Sequence, residues 1–397
     1  MLFDQGRQGQ RTAAGALMRG VKDACIETDV LVCGLGPAGA AAAAEAALCG
    51  ARVIGIERSP QPGLPVQCAE FVPRMIRAEA APIDASWVQD IDAMETFVAA
   101  EAADLTPDFP GYMIDRARFD QALVATALQA GADCRFGLSL RALHPDGVAE
   151  LSDGRRLRAR VVIGADGPRS AVGSAIHCSN HAFVLTRQVQ VDLLQAHRAT
   201  DIFLHADYVG GYAWLFPKGQ RANLGLGVVP SQRAELKPLL QTLHAQLQEQ
   251  GRVGTVVHAS TGGLIPVGGM RGPTGWLNDV AVLLAGDAAG LTHPITGAGI
   301  SAAVSSGHLA GRAAAAHCQG KATAVNDYAD ELHSVFDPSL QRALRRRAEL
   351  IAAQQHASAD ATALRRSWIA YPAYWDDANT APTPTIAARS PEAPCLV

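Results

Sequence analysis

The chain has 397 residues, of which 48% are hydrophobic and 18% are charged, and its formal net charge is −4. This is the composition of a globular protein with room for one large or two ordinary domains, and the lack of a basic stripe interleaved with aromatic residues excludes a nucleic-acid partner. No run reaches the roughly 20 apolar residues that a membrane-spanning helix needs, and the N-terminus lacks the apolar core of a signal peptide, so we expect a cytoplasmic protein.

The eight cysteines are scattered without any CxxC pair, and several lie in apolar runs where cysteine packs as a small hydrophobic residue. We expect free thiols, no structural zinc and no other metal site. The first residues are polar, and the last 20 are rich in Pro, Ala and Thr. These compositions predict a loosely ordered extension over 1–27 and a disordered tail over 378–397.

A strand, a glycine turn and a helix are predicted first along the chain. The apolar run 29–33 leads into GLGPAG at 34–39, and an alanine-rich stretch follows. Gly34 would permit the tight turn, Gly36 would let a pyrophosphate approach the backbone, and Gly39 would let the helix pack close to the strand. This order of elements predicts dinucleotide binding.

A second predicted strand, 52–56, ends at Glu57, which follows Gly36 by 57 − 36 = 21 positions. An acidic residue about 20 positions after the glycine turn binds the hydroxyl groups of an adenosine ribose. Arg58 beside it would suit a 2′-phosphate, or it is simply solvated. The acidic side chain of Glu57 at the ribose position favours FAD or NAD over a nucleotide with a 2′-phosphate.

The middle of the chain changes its pattern. A helix is predicted from Arg116 to about Gly131, and 160–167 reads as a strand that ends at Asp166. Alternating apolar and polar residues between 183 and 227 predict an antiparallel sheet. An amphipathic helix is expected over 234–250. Long helical material is expected over 339–368, with four arginines on its polar side: Arg342, Arg345, Arg346 and Arg347.

The segment VLLAGDAAGLTHPITGAGI, at 282–300, reads as a buried strand that ends at an aspartate and leads into a glycine-rich helix start. The Asp287 carboxylate can accept hydrogen bonds from sugar-like hydroxyl groups. The N–H groups at the following helix N-terminus offer partial positive charge to an anion or a reducible ring. A polyol and an electron-rich ring together indicate a flavin, so we expect non-covalent FAD.

Aromatic residues concentrate in two short windows. Five lie between 203 and 216, and four lie between 368 and 375. Aromatic and apolar linings are typical of small-molecule pockets. The pattern alone suits a pocket or a hydrophobic plug over a sheet or a helix end, and the preference for a pocket in the first window comes from the resemblance described below.

Three segments, GLGPAG at 34–39, IGADGPRS at 163–170 and AGDAAGLTHPITGAGI at 285–300, resemble FAD-dependent oxidoreductases with the p-hydroxybenzoate hydroxylase fold. YAWLFPK at 212–218, followed by NLGLG at 223–227, is similar to a signature of the geranylgeranyl reductase family. MIDR at 113–116 and GLIP at 263–266 fit the same family. The resemblance covers about 28–320.

This resemblance implies an α/β fold. A Rossmann-like FAD-binding domain is expected over 28–100, 111–180 and 275–335. A second domain, discontinuous and built on a mainly antiparallel sheet, is expected over 101–110 and 181–274, and a C-terminal helical region over 336–377.

The resemblance also implies roles for individual residues. Ala38 would touch the pyrophosphate, Leu140 would lie beside the adenine, Asp287 would bind the ribityl hydroxyl groups, and Gly299 and Ile300 would present N–H groups to the flavin ring. Arg116 would reach the cofactor or form a surface ion pair. The full predicted cofactor set is Gly34, Gly36, Ala38, Gly39, Glu57, Cys68, Ala69, Arg116, Leu140, Asp166, Asp287, Gly299 and Ile300.

Two residues are candidates for chemistry. Gln67-Cys68-Ala69-Glu70 stands where the family carries Cys-Gly-Glu, so the cysteine is retained and Ala69 replaces a glycine. Cys68 would contact the flavin and position substrate or deliver a proton, or it is a small buried residue. We call the segment 282–300 the flavin motif. His293 is the imidazole at this motif, and it would donate protons or merely pack.

The resemblance implies reduction of C=C bonds in a hydrophobic, polyprenyl-type substrate, with Tyr212, Trp214 and Phe216 lining its slot. The alternative from the same fold is a flavin-dependent monooxygenase that hydroxylates an aromatic substrate. A third hypothesis is a non-catalytic flavin protein that uses the arginines near 345 to contact a protein partner or, peripherally, a membrane. The electron donor stays open between NADPH, NADH, a ferredoxin and a quinol.

Overall fold

The structure is a computed structural model, and it describes residues 25–79, 82–356 and 359–376. Strands within these ranges are β1 (Cys25–Cys33), β2 (Val53–Glu57), β3 (Phe71–Pro73), β4 (Trp87–Ile91), β5 (Ala93–Val98), β6 (Asp104–Thr106), β7 (Gly111–Ile114), β8 (Asp133–Phe136), β9 (Leu140–Leu143), β10 (Val148–Leu151), β11 (Arg156–Gly164), β12 (Phe183–Leu193), β13 (Ala199–Leu204), β14 (Ala213–Lys218), β15 (Arg221–Val228), β16 (Val253–Pro266), β17 (Thr274–Leu277) and β18 (Val280–Leu284).

The α-helices in the same ranges are α1 (Pro37–Leu48), α2 (Ile83–Ser86), α3 (Arg116–Gln129), α4 (Ala171–Ala175), α5 (Leu236–Glu249), α6 (Ile300–Cys318), α7 (Ala324–Gln355), α8 (Ala361–Arg366) and α9 (Pro372–Trp375). Short 3-10 helices span Arg74–Glu79, Pro230–Glu235 and Gly286–Ala289. The predicted tail and most of the predicted N-terminal extension lie outside the described residues. Residues 25–27 were predicted to belong to that extension, but they form the start of β1 and pair with β11.

The first sheet carries the glycine turn. Its strand order is β17-β18-β11-β1-β2-β8, with β10 and β9 attached to β11. The five strands from β18 to β8 are parallel to one another. The apolar runs of β1, β2, β11 and β18 are buried, as parallel strands covered on both faces require. The carboxyl ends of β1, β11 and β18 therefore meet at one edge, where α/β sheets bind their ligands.

Small residues allow α1 and α6 to cross closely over this sheet. The alanines of α1 are buried, and α6 presents Gly307 and Gly311 to it. A Cβ atom on Gly307 would lie 2.2 Å from the Ala38 carbonyl oxygen, and one on Gly311 would lie 2.5 Å from that of Ala42. Because backbone meets backbone at these points, both positions require glycine.

The second sheet has seven strands in the order β16-β12-β15-β14-β13-β5-β6, antiparallel except between β13 and β5. Helix α5 packs on one face through Leu236, Leu240, Leu243 and Leu247, which recur at helical spacing. The predicted antiparallel sheet and amphipathic helix are thus confirmed, and the three-part α/β fold class with them.

Two boundaries differ from the sequence prediction. Strand β5 was assigned with 28–100 to the cofactor-binding part, but it pairs with β13 in the second sheet. Its residues alternate between buried and half-buried, a pattern that a single sequence cannot attach to one sheet rather than another. The long helix predicted from 339 starts earlier, at Ala324.

The arginines of this helix also differ from the prediction. Arg346 and Arg347 were expected on a solvated face, but they are 1% and 7% exposed. Their guanidinium groups bind carbonyl oxygens, and Arg346 also binds Glu349. A docking surface built on all four arginines is therefore excluded. Among the described residues, no helix combines the length and the apolarity that a bilayer span requires.

Candidate functional site

The glycine turn leaves space at only one of its three glycines. Gly34 has φ +90°, and a Cβ atom there would lie 2.4 Å from the Ala165 carbonyl oxygen. On Gly39 it would lie 1.8 Å from the Gly34 oxygen, whereas on Gly36 it would meet nothing within 4 Å. Gly36 lines the main cavity, so the turn is open where a pyrophosphate would approach.

Glu57 ends β2 beside this turn. Its Oε2 accepts a hydrogen bond from the Leu35 backbone N–H at 2.9 Å, and its Oε1 accepts one from the Ser59 N–H at 2.9 Å. These bonds orient the carboxylate. Arg58 is exposed and lines the cavity, whereas Leu140 is absent from the cavity lining and packs against the core of the first sheet. The proposed adenine contact of Leu140 stays a prediction.

The flavin motif, residues 282–300, brings Asp287, Gly299 and Ile300 to the cavity wall. Thr292 Oγ1 donates to Asp287 Oδ1 at 2.6 Å. Burial raises the pKa of the Asp287 carboxyl, and the Thr292 hydrogen bond and the Arg116 charge oppose that rise. Gly299 precedes α6, and a Cβ atom there would lie 2.9 Å from Thr292 Oγ1. The helix N-terminus and one carboxylate therefore share a small space.

Asp166 faces the same cavity but is committed to local structure. Its carboxylate accepts hydrogen bonds from Ser170 Oγ at 2.5 Å and from the Ala171 N–H at 2.7 Å, at the start of α4. Burial raises the pKa of this carboxyl, and the hydrogen bonds oppose the rise.

Arg116 forms an ion pair, although not on the surface. Its Nε lies 2.7 Å from Asp120 Oδ1, and the two side chains are 18% and 8% exposed. Burial would lower the pKa of Arg116, but the charge of Asp120 in this ion pair opposes that effect, and the pKa is raised. Arg116 therefore presents a fixed positive charge at the cavity, close to Cys68.

Glu70 organises the segment that carries Cys68. It has a left-handed backbone with φ 69° and is 4% exposed. Its Oε1 accepts from the Arg116 backbone N–H at 3.0 Å, and its Oε2 accepts from Lys218 Nζ at 2.6 Å and Asn223 Nδ2 at 3.0 Å. Glu70 thus joins helix α3 to strands β14 and β15, and it holds Cys68 at the cavity wall.

Cys68 is a half-buried thiol, and its Sγ accepts the Glu70 N–H at 3.2 Å. Burial raises its pKa, against the lowering effect of the Arg116 charge. The group is therefore a protonated thiol at neutral pH. Ala69 also lines the cavity, and its carbonyl oxygen accepts a hydrogen bond from Asn223.

Trp214 and Phe216 alternate along β14 and therefore face one side of the second sheet. Tyr212 directly precedes this strand, and all three residues line the cavity. The Tyr212 hydroxyl donates to the Thr296 carbonyl oxygen at 2.6 Å. Trp214 Nε1 donates to Gln188 Oε1 at 3.0 Å, and Gln188 in turn donates to the Cys68 carbonyl oxygen. The predicted aromatic slot is tied to the flavin motif at one end and to the cysteine segment at the other.

His293 also lines the cavity, but both of its ring nitrogens have partners. Nδ1 accepts the Thr296 backbone N–H at 3.2 Å, and Nε2 lies 3.3 Å from the Tyr374 hydroxyl oxygen. Because Nδ1 accepts, Nε2 carries the proton of the neutral ring. Burial lowers the pKa of His293 to about 4. The ring is therefore neutral at pH 7, and the proposed proton donation from it stays a prediction.

The C-terminal aromatic residues differ in how they meet the cavity. Trp368 packs against Tyr212 with ring centroids 4.8 Å apart, and Ile369 lines the cavity beside it. Tyr374 is 1% exposed and reaches His293, whereas Trp375 is 54% exposed.

No metal was predicted, yet one cluster has ligand-like spacing. Ligand atoms of Glu95, His197 and Asp201 lie within 4.8 Å of one another. Asp201 already accepts hydrogen bonds from His197 Nε2, at 2.7 Å, and from Arg252. The guanidinium group of Arg252 supplies the positive charge that balances this buried carboxylate.

The glycine turn, Asp287, the α6 N-terminus and the aromatic slot enclose one continuous cavity of about 1480 Å³. Pockets for a single drug-sized ligand have volumes of about 300–1,000 Å³, so this cavity has room for an extended dinucleotide and a second molecule. The opening at Gly36 and the helix N-terminus at Ile300 fit the pyrophosphate and the flavin ring of FAD. Glu57 is absent from the cavity lining, so its contact with the ribose stays a prediction.

Sequence reasoning missed the polar residues that hold the site together, chiefly Glu70, Lys218, Asn223 and Gln188. Lys218 and Asn223 belong to the signature quoted above, so this polar pair was visible only as part of a motif. Their common partner lies about 150 positions away in the sequence, at Glu70.

Comparison with known proteins identifies the group to which these features belong. The family model described as Lycopene cyclase protein matches residues 29–361. Digeranylgeranylglycerophospholipid reductase 2 of Methanopyrus kandleri is 32% identical over 302 residues, which cover 72% of this chain and 76% of that one. Digeranylgeranylglycerophospholipid reductase of Methanosarcina acetivorans is 33% identical over 302 residues, which cover 71% of this chain and 73% of that one.

Two solved structures share the fold. A geranylgeranyl bacteriochlorophyll reductase-like protein from Thermoplasma acidophilum has a TM-score of 0.75 and 24% identity, and the match covers 86% of this chain and 90% of that one. PqsL of Pseudomonas aeruginosa, a probable FAD-dependent monooxygenase, has a TM-score of 0.63 and 20% identity, with coverage of 83% and 98%. The chain therefore belongs to the geranylgeranyl reductase family of FAD-dependent oxidoreductases, and to the wider family matched by the lycopene cyclase model.

Proposed function

We propose that this enzyme reduces C=C bonds in a polyprenyl-type lipid. The observation that supports this most directly is the single cavity, since the residues of the flavin motif and the aromatic face line the same space. An alkene bound along that face would lie beside the place where the flavin motif would hold the flavin ring. The names of the relatives point to the same class of substrate.

The slot would contribute binding and orientation. Met94, Ile202, Trp214 and Phe216 line it and are nearly inaccessible to solvent, which suits an isoprenoid chain. Burying each methylene group stabilises the complex by about 0.8 kcal/mol. An isolated alkene has no carbonyl group for a protein to polarise, so positioning is the main task left to the side chains.

Cys68 is our proposed source of the proton. Bound FAD, when reduced, supplies the hydride equivalent that one alkene carbon receives. The other carbon needs a proton, and the Cys68 thiol holds one at Sγ because burial raises its pKa. Glu70 fixes this thiol through its backbone N–H, and Arg116 remains positively charged beside it.

The activity is tested with the purified flavoprotein, photoreduced without oxygen and mixed with geranylgeranyl lipids. We expect a mass gain of two hydrogen atoms for each reduced bond. Oxygen uptake stimulated by an aromatic substrate, with no hydrogenated lipid, would instead support the monooxygenase alternative.

The role of Cys68 is tested with Cys68→Ala. We expect flavin content to be kept and hydrogenation to fall by about 10²–10⁴-fold, the usual contribution of a positioned acid. Cys134→Ala is the matched control, because this half-buried thiol lies on β8, outside the cavity lining. An equal loss in both variants would contradict a specific role for Cys68.

The electron donor is proposed to be external NAD(P)H. Arg58 and Arg169 are exposed at the cavity lining and offer positive charge to a nucleotide phosphate. Anaerobic mixing of the oxidised flavoprotein with NADPH or NADH should bleach the flavin absorbance. Bleaching by a reduced ferredoxin or a quinol alone would contradict this proposal.

A lipid substrate also suggests peripheral contact with a membrane. Leu64 and Met75 are 42% and 82% exposed, and they flank the segment 67–73, which lines the cavity. We expect flotation with lipid vesicles to weaken in Met75→Glu. Leu128→Glu is the control, since Leu128 is 51% exposed on α3. Equal flotation of both variants and the wild type would exclude a contact at Met75.

A further inference from the structure

The C-terminal segment, residues 359–376, forms part of the wall of the aromatic slot. Trp368 is 3% exposed, and its ring lies 4.8 Å from that of Tyr212, centroid to centroid. Trp368 and Ile369 both line the cavity. The slot is therefore bounded by β14 on one side and by this segment on another.

Two sets of contacts anchor the segment. At one end, Arg365 binds Asp104 at 3.0 Å, and the Tyr371 hydroxyl donates to the same carboxylate at 2.8 Å. At the other, the buried Arg346 donates from Nε to the Tyr374 carbonyl oxygen at 3.0 Å. Trp368 lies between these anchors, so its ring is held against the slot.

The segment also meets the flavin motif, because the Tyr374 hydroxyl oxygen lies 3.3 Å from His293 Nε2. The indole of Trp368 consequently has a fixed place relative to the position where the reacting bond would lie. The lycopene cyclase model match stops at residue 361, before Trp368. This wall is thus contributed by sequence beyond the matched family core.

We propose that Trp368 determines how long a prenyl chain the slot accepts. This proposal rests on the proposed function, since it concerns the same substrate. The indole lines the slot and packs on Tyr212, so a chain that extends past this point would collide with it. Replacing Trp368 by alanine removes about nine heavy atoms, close to the size of two isoprenoid units.

The test measures how tightly the holoenzyme binds four prenyl alcohols of increasing length: geraniol, farnesol, geranylgeraniol and geranylfarnesol. Dissociation constants are read from the perturbation of the flavin absorbance. In the wild type we expect affinity to stop rising beyond one of these alcohols. In Trp368→Ala that limit should move to a longer alcohol, which then binds about ten-fold more tightly than to the wild type.

Trp368→Phe is a second variant for the case that Trp368→Ala does not fold. It should shift the length limit in the same direction, but by less. Trp276→Ala is the control, because Trp276 is 51% exposed on β17 and is absent from the cavity lining. If both Trp368 variants keep their flavin content and show the same dependence of affinity on alcohol length as the wild type, the proposal is overturned. If no alcohol binds the wild type, the proposed function itself fails.

Discussion

The cofactor side and the substrate side of the cavity are built in different ways. On the cofactor side, backbone approaches backbone, and glycines at fixed spacing in one short segment decide the geometry. On the substrate side, side chains from distant segments meet, as Glu70 does with Lys218 and Asn223. The cofactor side therefore tolerates no added atom at Gly34 or Gly39, whereas the substrate side tolerates no unpaired charge at Glu70.

The largest effect should come from Gly39→Ala. The new Cβ atom would lie 1.8 Å from the Gly34 carbonyl oxygen, so β1 and α1 would be forced apart. We expect no folded flavoprotein, judged by thermal unfolding and bound FAD. Gly36→Ala should fold normally and lose only affinity for FAD, since its Cβ atom meets no protein atom. Equal unfolding temperatures for the two variants would remove the contrast.

Glu70→Ala should destabilise the protein by about 3–5 kcal/mol, because it leaves the Lys218 ammonium buried without its partner. Urea unfolding followed by circular dichroism measures this change. Adding Lys218→Met should recover part of the loss. If the double variant is as unstable as the single one, the charge pair is not the cause.

His293 connects both sides, and its effect should depend on pH. Its pKa is about 4 in the folded protein against an ordinary 6.5, so between these values the unfolded chain binds the extra proton. Stability therefore falls on acidification across this window, by about 3 kcal/mol.

In His293→Gln that slope should flatten, which urea unfolding from pH 7 to pH 4 will show. His181→Gln is the matched control, since His181 is exposed. A slope unchanged by His293→Gln would mean that other groups control the acid response.

Tyr212→Phe should have the smallest effect. The change removes the hydrogen bond to the Thr296 carbonyl oxygen but keeps the ring, at a cost of about 1 kcal/mol. Flavin content should be unchanged. A marked loss of FAD would show that this bond positions the flavin motif, which would weaken the separation between the two sides.

The same contrast explains how far the sequence could be interpreted. Gly36 and Asp287 lie in motifs whose chemistry is local, so their places beside one cavity could be predicted. Burial of Arg346 could not, because its carbonyl partners lie in a segment 28 or more positions away that folds back over the helix. The strand β5 was assigned to the wrong sheet since its alternation suits either one.

The order of strands in the first sheet also has a consequence for biosynthesis. β1 pairs with β11, which pairs with β18, so the sheet is completed only after residues 280–284 have left the ribosome. Contacts so distant in sequence form slowly. The glycine turn is among the first segments to be translated, yet its pocket is completed late. Newly made chains should therefore acquire FAD only near the end of synthesis.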